Sequence, residues 1–363
     1  MTSIAVPVID LRDVEGANSG AEAARRRLLD VARGTGGFLL TGHGLDETTA
    51  DALFAAARRF FALPDEQKLQ IENVNSPHFR GYTRVGGELT AGAVDWREQL
   101  DVGAEKPAPE LGPDSPGWER LIGPNLWPEQ VPELKELALQ WYAALTDVGL
   151  RLLRALALAI GQSEDVFTET FAATPDSLLK IVRYPGRRPA EGDQGVGPHT
   201  DSGVLTFVLQ EPGTTGLQTL VGETWVDVPA VPGTLAVNVG ELLEVATDGL
   251  LRANVHRVLS PADGADRLSV PFFLNPELSV TVPRLQLPEH LRPLATGTTR
   301  VAGNPFYATY GENALKSRLR SHPNVAERHH ADLLARRPEP PLPQAVDGGL
   351  AQPTTATASA SHA

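Results

Sequence analysis

His199-Thr200-Asp201 sets an imidazole and a carboxylate two positions apart. On a strand that spacing puts both side chains on one face, where they can reach a single ion. The spacing alone is common in a chain with nine histidines, so the context carries more weight: Gly195, Gly197 and Pro198 precede the pair and an apolar strand follows, which stands it at a strand mouth. His256 opens a second apolar strand, in Ala253-Asn254-Val255-His256-Arg257-Val258-Leu259. The chain has no cysteine, so any metal must be held by histidine and carboxylate. Two His and one carboxylate on one side of an ion form the facial arrangement of non-haem Fe(II) sites, with three positions left for other ligands. His256 alone reads equally well as a hydrogen-bonded, half-buried histidine. Zinc hydrolysis is a further option for such a ligand set, with Glu241 or Glu244 as base, although no spacing ties either to the pair.

Arg267-Leu268-Ser269-Val270-Pro271-Phe272-Phe273 adds a second chemical signal. Arg267 and Ser269 share a strand face, and an arginine aimed into a sheet interior is costly unless it meets an anion. A carboxylate fits, gripped bidentately by the guanidinium with the hydroxyl adding a hydrogen bond. An edge-strand arginine in a surface ion pair is the plain alternative. Phosphate-cradling glycine loops, the G-x-S-x-G elbow and H-E-x-x-H are all missing from the sequence, which disfavours their chemistries.

These residues need a scaffold. Val6–Leu11 and Phe38–Thr41 read as strands, Ala21–Arg33 as a helix stopped by Gly34 and Gly36, and Asp46 as the cap of a helix reaching Ala62. Pro64 suits the start of another short helix. Residues 73–125 carry many turn signals and little periodicity, as in a functional irregular loop. Glu133–Ile160 is one long helical pattern. From Leu178 onward seven short runs predict strands: Ile181–Tyr184, Val204–Leu209, Gly216–Leu220, Thr224–Val228, Thr234–Val239, His256–Leu259 and Leu268–Leu274. Helical patterns return at Asn313–Arg320 and Ala326–Arg336. The expected fold is α+β, a jelly roll (double-stranded β-helix) braced by N-terminal and C-terminal helices. Its expected parts are an N-terminal segment at 5–125 that forms one compact unit with the core at 126–320, a C-terminal helix at 321–336 and a disordered Pro-, Ala-, Thr- and Ser-rich tail at 337–363.

The 363 residues carry 45 acidic against 32 basic side chains, net −13, which argues against a nucleic-acid partner. The start, Met1 to Pro7, has no basic region followed by an apolar stretch, and no later run is long enough to span a membrane. A cytoplasmic protein acting on a small molecule, with no membrane and no obligate protein partner, is the expectation.

His199-x-Asp201, His256 and Arg267-x-Ser269, in this order, resemble the signature of the isopenicillin N synthase-like branch of the 2-oxoglutarate-dependent Fe(II) dioxygenases. The likeness extends to Val6–Leu11, to Gly37-Phe38-Leu39-Leu40-Thr41-Gly42-His43-Gly44, and to Gly216-Leu217-Gln218, Pro232-Gly233-Thr234-Leu235, Asn238-Val239-Gly240 and Phe273-Leu274-Asn275-Pro276, so it covers about residues 5–320. It implies that His199, Asp201 and His256 bind Fe(II), that Arg267 and Ser269 hold the distal carboxylate of 2-oxoglutarate, and that Tyr184 reaches that cosubstrate. His43 is then structural. Dioxygen is the oxidant, 2-oxoglutarate is decarboxylated to succinate, and a substrate C–H bond is oxidised. Hydroxylation is the usual outcome; desaturation or ring closure would need only another substrate pose. The likeness points to secondary metabolism.

Substrate selection would fall to residues 73–125, to the tip at Gly192–Gly195 and to the C-terminal helices, with Arg80 and Arg84 as candidate partners of a substrate carboxylate. Two other readings stay open at this point. One is an isopenicillin N synthase-like oxidase that uses dioxygen without 2-oxoglutarate. The other is a jelly-roll binding protein with no turnover.

Overall fold

The computed structural model describes residues 5–16, 18–167, 175–188, 192–299 and 305–335. The tail expected at 337–363 lies outside the described residues. Fourteen strands run along these residues: β1 Val8–Asp10, β2 Gly37–Thr41, β3 Gly81–Thr83, β4 Leu89–Thr90, β5 Ala93–Val94, β6 Glu98–Gly103, β7 Leu178–Pro185, β8 Gln194–His199, β9 Leu205–Gln210, β10 Leu217–Val221, β11 Thr224–Asp227, β12 Leu235–Val239, β13 His256–Leu259 and β14 Asp266–Leu274. All seven expected strands of the second half are among them, with small shifts at their ends. Eight strands form a large sheet in the order β1-β2-β12-β9-β14-β7-β6-β3, and β11-β10-β13-β8 form a small one; β4 and β5 make a separate hairpin. The chain is α+β with a jelly-roll core.

Alternation along the strands divides the interior in two. Leu268, Val270, Phe272 and Leu274 of β14 join the core on the helix side, where Trp141, Leu145, Leu152 and Leu156 of the long helix Glu133–Ala159 are buried. Val182 and Tyr184 of β7 meet Val196, Leu217 and Val258 of the small sheet in a second core between the sheets. Arg267 and Ser269 lie on that inner side of β14 by the same alternation. Helices Ser19–Gly34 and Glu47–Phe61 begin at Asn18 and Asp46, whose side chains accept backbone N–H bonds as caps.

Three expectations are corrected. The first strand stops at Asp10 because the Asp10 carboxylate accepts the Arg12 N–H and starts a helix at Leu11. The irregular stretch at 73–125 contains four strands, and β6 is buried along its whole length and paired with β7. Its charged residues Glu98 and Asp101 hid it by breaking the apolar pattern. The second C-terminal helix is two short ones, Pro323–His329 and Ala331–Ala335, separated at His330; Arg336 lies outside the described residues.

A side-chain chain ties the two sheets together beside His256. Asn254 Nδ2 donates to Asn238 Oδ1 of β12 at 2.7 Å, and Thr219 Oγ1 of β10 donates to Asn254 Oδ1 at 2.7 Å. Gly240 lies in van der Waals contact with the turn that carries Asp201: an added Cβ there would stand 2.2 Å from the Gly203 carbonyl oxygen. Gly240 N–H donates to Val204 and Glu241 N–H to the Asp201 carbonyl. Gly240→Ala should therefore push backbone against backbone, lowering stability by about 1–3 kcal/mol and weakening metal binding with it. Thermal unfolding together with metal titration checks both effects.

Candidate functional site

His199 ends β8, His256 begins β13, and the two residues are paired directly across the small sheet. Their imidazole centroids are 4.3 Å apart. Asp201 does not sit on the strand with His199, as the two-residue spacing suggested. The strand ends first, and the turn held by Gly240 swings the carboxylate back. Asp201 Oδ1 comes 3.6 Å from His199 Nε2, and its Oδ2 comes 3.6 Å from His256 Nε2. Ligand atoms about 3 Å apart are expected around a six-coordinate ion with bonds near 2.1 Å, so this trio needs only a slight contraction to hold one.

The hydrogen bonds around the trio orient it for metal. His199 Nδ1 faces the Gly197 carbonyl at 2.8 Å and His256 Nδ1 faces the Asn254 carbonyl at 3.1 Å. Each Nδ1 therefore carries the proton, leaving the Nε2 lone pair free for an ion. Asp201 is 5% exposed, and its Oδ2 has no hydrogen-bond partner among the described residues. A buried carboxylate oxygen without a partner is costly unless a cation meets it. Burial raises the Asp201 pKa, but the two imidazoles outweigh it and hold the carboxyl well below its usual range. Burial also pushes His256 down to about 4. His199 is desolvated too, yet its bond to Asp201 leaves its pKa raised above 6.5.

The second feature stands on β14, flanked by β7 and β9, so Arg267 is no edge-strand surface residue. Arg267 and Ser269 are each 1% exposed. Arg267 Nη2 donates to Gln210 Oε1 at 3.0 Å, while Nε and Nη1 have no hydrogen-bond partner among the described residues. A guanidinium cannot shed its proton to escape such a place. Its free edge is shaped for a carboxylate. Tyr184 is the register partner of Arg267 and lies under its guanidinium, 5.0 Å from ring centroid to Cζ.

Other expected residues fall elsewhere. Arg84 is exposed and bonds Glu72 at 2.6 Å. Arg80 is buried, donating to the His78 and Leu121 carbonyls at 3.1 and 3.2 Å. Neither touches the trio or Arg267 among the described residues. The His43 ring bonds the Gly233 carbonyl and the Leu45 N–H, a structural role. Glu244 accepts the Ala253 and Thr299 N–H groups, and Glu241 accepts the Thr200 hydroxyl, so neither stands free as a base. Gln210 and Asn254 were not anticipated; their signal was faint, a lone amide in each of two strand margins.

Residues 6–130 match the family described as the N-terminal part of the non-haem dioxygenase in morphine synthesis, and residues 175–276 match the 2OG-Fe(II) oxygenase superfamily. A 2-oxoglutarate-dependent dioxygenase of a Dothideomycetidae species is 36% identical over 357 residues, spanning 92% of this chain and 95% of that relative. A homoarginine-6-hydroxylase of Arabidopsis thaliana is 31% identical over 323 residues, 85% of this chain and 95% of its own. A Neurospora crassa protein solved with alpha-KG and thymine shares the fold, with TM-score 0.68 over 91% of this chain and 98% of that one at 22% identity.

Metal binding needs both imidazoles neutral. Protons on His199, whose pKa is raised above 6.5, compete first as pH falls, and those on His256 compete only near 4. Affinity for a divalent ion should thus drop by up to about tenfold per pH unit below the His199 pKa. Anaerobic Fe(II) titration at pH 7.5 and 5.5 measures this, and equal affinities at the two would contradict it.

Proposed function

This chain belongs to the 2-oxoglutarate- and Fe(II)-dependent oxygenases and is a non-haem dioxygenase, and from that premise we propose that His199, Asp201 and His256 bind its Fe(II) while Arg267 and Ser269 hold the far carboxylate of 2-oxoglutarate. What carries the reading is that two buried groups of opposite sign, Asp201 Oδ2 and the Nε and Nη1 of Arg267, have no hydrogen-bond partner among the described residues. One calls for a cation and the other for an anion. Fe(II) and 2-oxoglutarate, when bound, supply dioxygen activation and the oxidation of a C–H bond with release of succinate and carbon dioxide.

The chain's own residues do the positioning. The Gly197 and Asn254 carbonyls hold the two rings in the tautomer that offers Nε2. Asp201 contributes a negative charge that favours a divalent ion over a proton. Gln210 fixes the Arg267 side chain from one side so that its other edge stays open. Ser269, two residues along the same face, adds a hydroxyl to the same anion site. Tyr184 screens that site from water by covering the guanidinium. The substrate is a small molecule, and hydroxylation, the reaction in the name of the Arabidopsis relative, is the outcome we propose.

Anaerobic addition of Fe(II) and 2-oxoglutarate should produce a visible charge-transfer band that needs both and disappears in His256→Ala. Arg267→Met should keep Fe(II) binding while raising the half-saturating 2-oxoglutarate concentration about 100-fold, the effect of losing roughly 3 kcal/mol of charge-assisted bonding. A normal 2-oxoglutarate requirement in Arg267→Met would overturn the assignment of the clamp.

A further inference from the structure

The inner face of the large sheet turns ionic close to the His–Asp–His trio, where a ligand cup between two sheets is ordinarily apolar. Lys180 shares its face of β7 with Val182 and Tyr184, and β6 sets Asp101 opposite Lys180 and Gln99 opposite Val182. Lys180 Nζ stands 2.9 Å from both oxygens of Glu88 and 3.3 Å from Asp101. Arg97 Nη2 bonds Glu88 at 2.9 Å and Asp95 at 3.3 Å. Arg318, from the C-terminal helix Tyr310–Ser321, reaches Asp101 at 3.1 Å. The group adjoins the strand that carries a proposed metal ligand: Asp95 accepts the Gly197 N–H on the strand that ends at His199.

Stability does not account for this wall. Taking the five buried ions, with half-buried Arg318 beside them, out of water costs several kcal/mol each, and apolar side chains of similar volume commonly serve a core as well or better. The network is also incompletely satisfied. Arg97 Nε, Gln99 Oε1 and His322 Nε2 are buried with no hydrogen-bond partner among the described residues, the last 4.0 Å from Glu88. Gln99 and His322 are fully buried, and Arg97 is 9% exposed. A free donor, a free acceptor and a free ring nitrogen are therefore buried beside this sheet face, within a set of three carboxylates and three cations that is neutral as a whole.

We propose that this mixed-charge wall recognises the substrate, and that the substrate is a small zwitterion of amino-acid type, with a free carboxylate and a free cationic nitrogen. The inference rests on the oxygenase reading above. A zwitterion adds no net charge to a balanced buried network, and can exchange its carboxylate onto Arg97 and its cation onto Glu88 and Asp101. A simple anion or cation would leave one buried charge uncompensated, and an apolar molecule would leave the free polar atoms unsatisfied. Glu88, Arg97 and Asp101 are thus specificity-determining residues.

The test uses the full chain loaded with Fe(II) and 2-oxoglutarate, with two readouts: the anaerobic charge-transfer band and succinate formed in air. The probes are the proteinogenic amino acids and homoarginine, the Nα-acetyl and methyl ester forms of those that stimulate, and hexanoate, hexylamine and thymine. At least one zwitterion should stimulate succinate formation about tenfold or more, and blocking either its carboxylate or its α-nitrogen should remove most of that, as expected for loss of a charge-assisted contact. Glu88→Gln should raise the half-saturating concentration of that zwitterion about tenfold with the band retained, and Glu88→Asp should recover part of the loss. Stimulation that survives both blocking groups, stimulation by the singly charged or neutral probes alone, or none by any zwitterion overturns the proposal. The comparison of blocked and free forms needs no variant, so a Glu88 variant that fails to fold does not spoil it. Absence of the band in the wild-type chain would instead overturn the oxygenase reading, and this inference with it.

Discussion

A carboxylate withdrawn from water between two imidazoles organises the centre of this protein. Asp201 is buried with an imidazole beside each of its two oxygens, and the charge those rings carry when protonated holds its carboxyl well below the usual range. With the rings neutral that arrangement is unfinished electrostatically, since their other nitrogens bond backbone carbonyls and leave the Nε2 lone pairs facing the carboxylate. A divalent cation would complete it, as proposed above. The small sheet, the turn under Gly240 and the Asn238–Asn254–Thr219 chain all serve to bring His199 and Asp201, neighbours in sequence, onto one point with the distant His256.

The same principle recurs at the Arg267 clamp with the sign reversed. Gln210 satisfies one nitrogen of the guanidinium, and β7 and β9 on either side of β14 shut out water, so the remaining edge waits for an anion. Two opposite charges left open in one interior suit a cosubstrate that chelates a metal at one end and carries a carboxylate at the other. Preorganisation of this kind is costly to the fold, and the large helix-side core around Glu133–Ala159 supplies the burial that offsets it.

The sheet that carries the clamp also carries the ionic wall of Glu88, Arg97, Asp101 and Lys180, because β6 from the N-terminal half pairs directly with β7. The N-terminal segment is therefore part of the site's own framework. The C-terminal helix Tyr310–Ser321 joins the same network through Arg318, and His330 stacks on Phe79 with ring centroids 5.1 Å apart, so residues near 80–100 and 318–330 pack together beside this wall.

Periodicity and turn chemistry in the sequence determined most of the elements, because apolar alternation, caps such as Asp46 and stops such as Gly34 and Gly36 act over a few residues. The resemblance in His199-x-Asp201, His256 and Arg267-x-Ser269 put forward the ligands and the clamp that we propose, and the structure brings the first three within reach of one ion. β6 and the ionic wall were not legible: Glu98, Asp101 and Lys180 read locally as solvated positions, and only pairing with partners far along the chain permits their burial. Arg80 and Arg84 show the converse, since both read as candidate partners of a substrate carboxylate, yet one is bonded to backbone carbonyls in the interior and the other to Glu72 at the surface. Which polar groups are satisfied and which are left open depends on contacts between distant segments, and that only the tertiary structure decided.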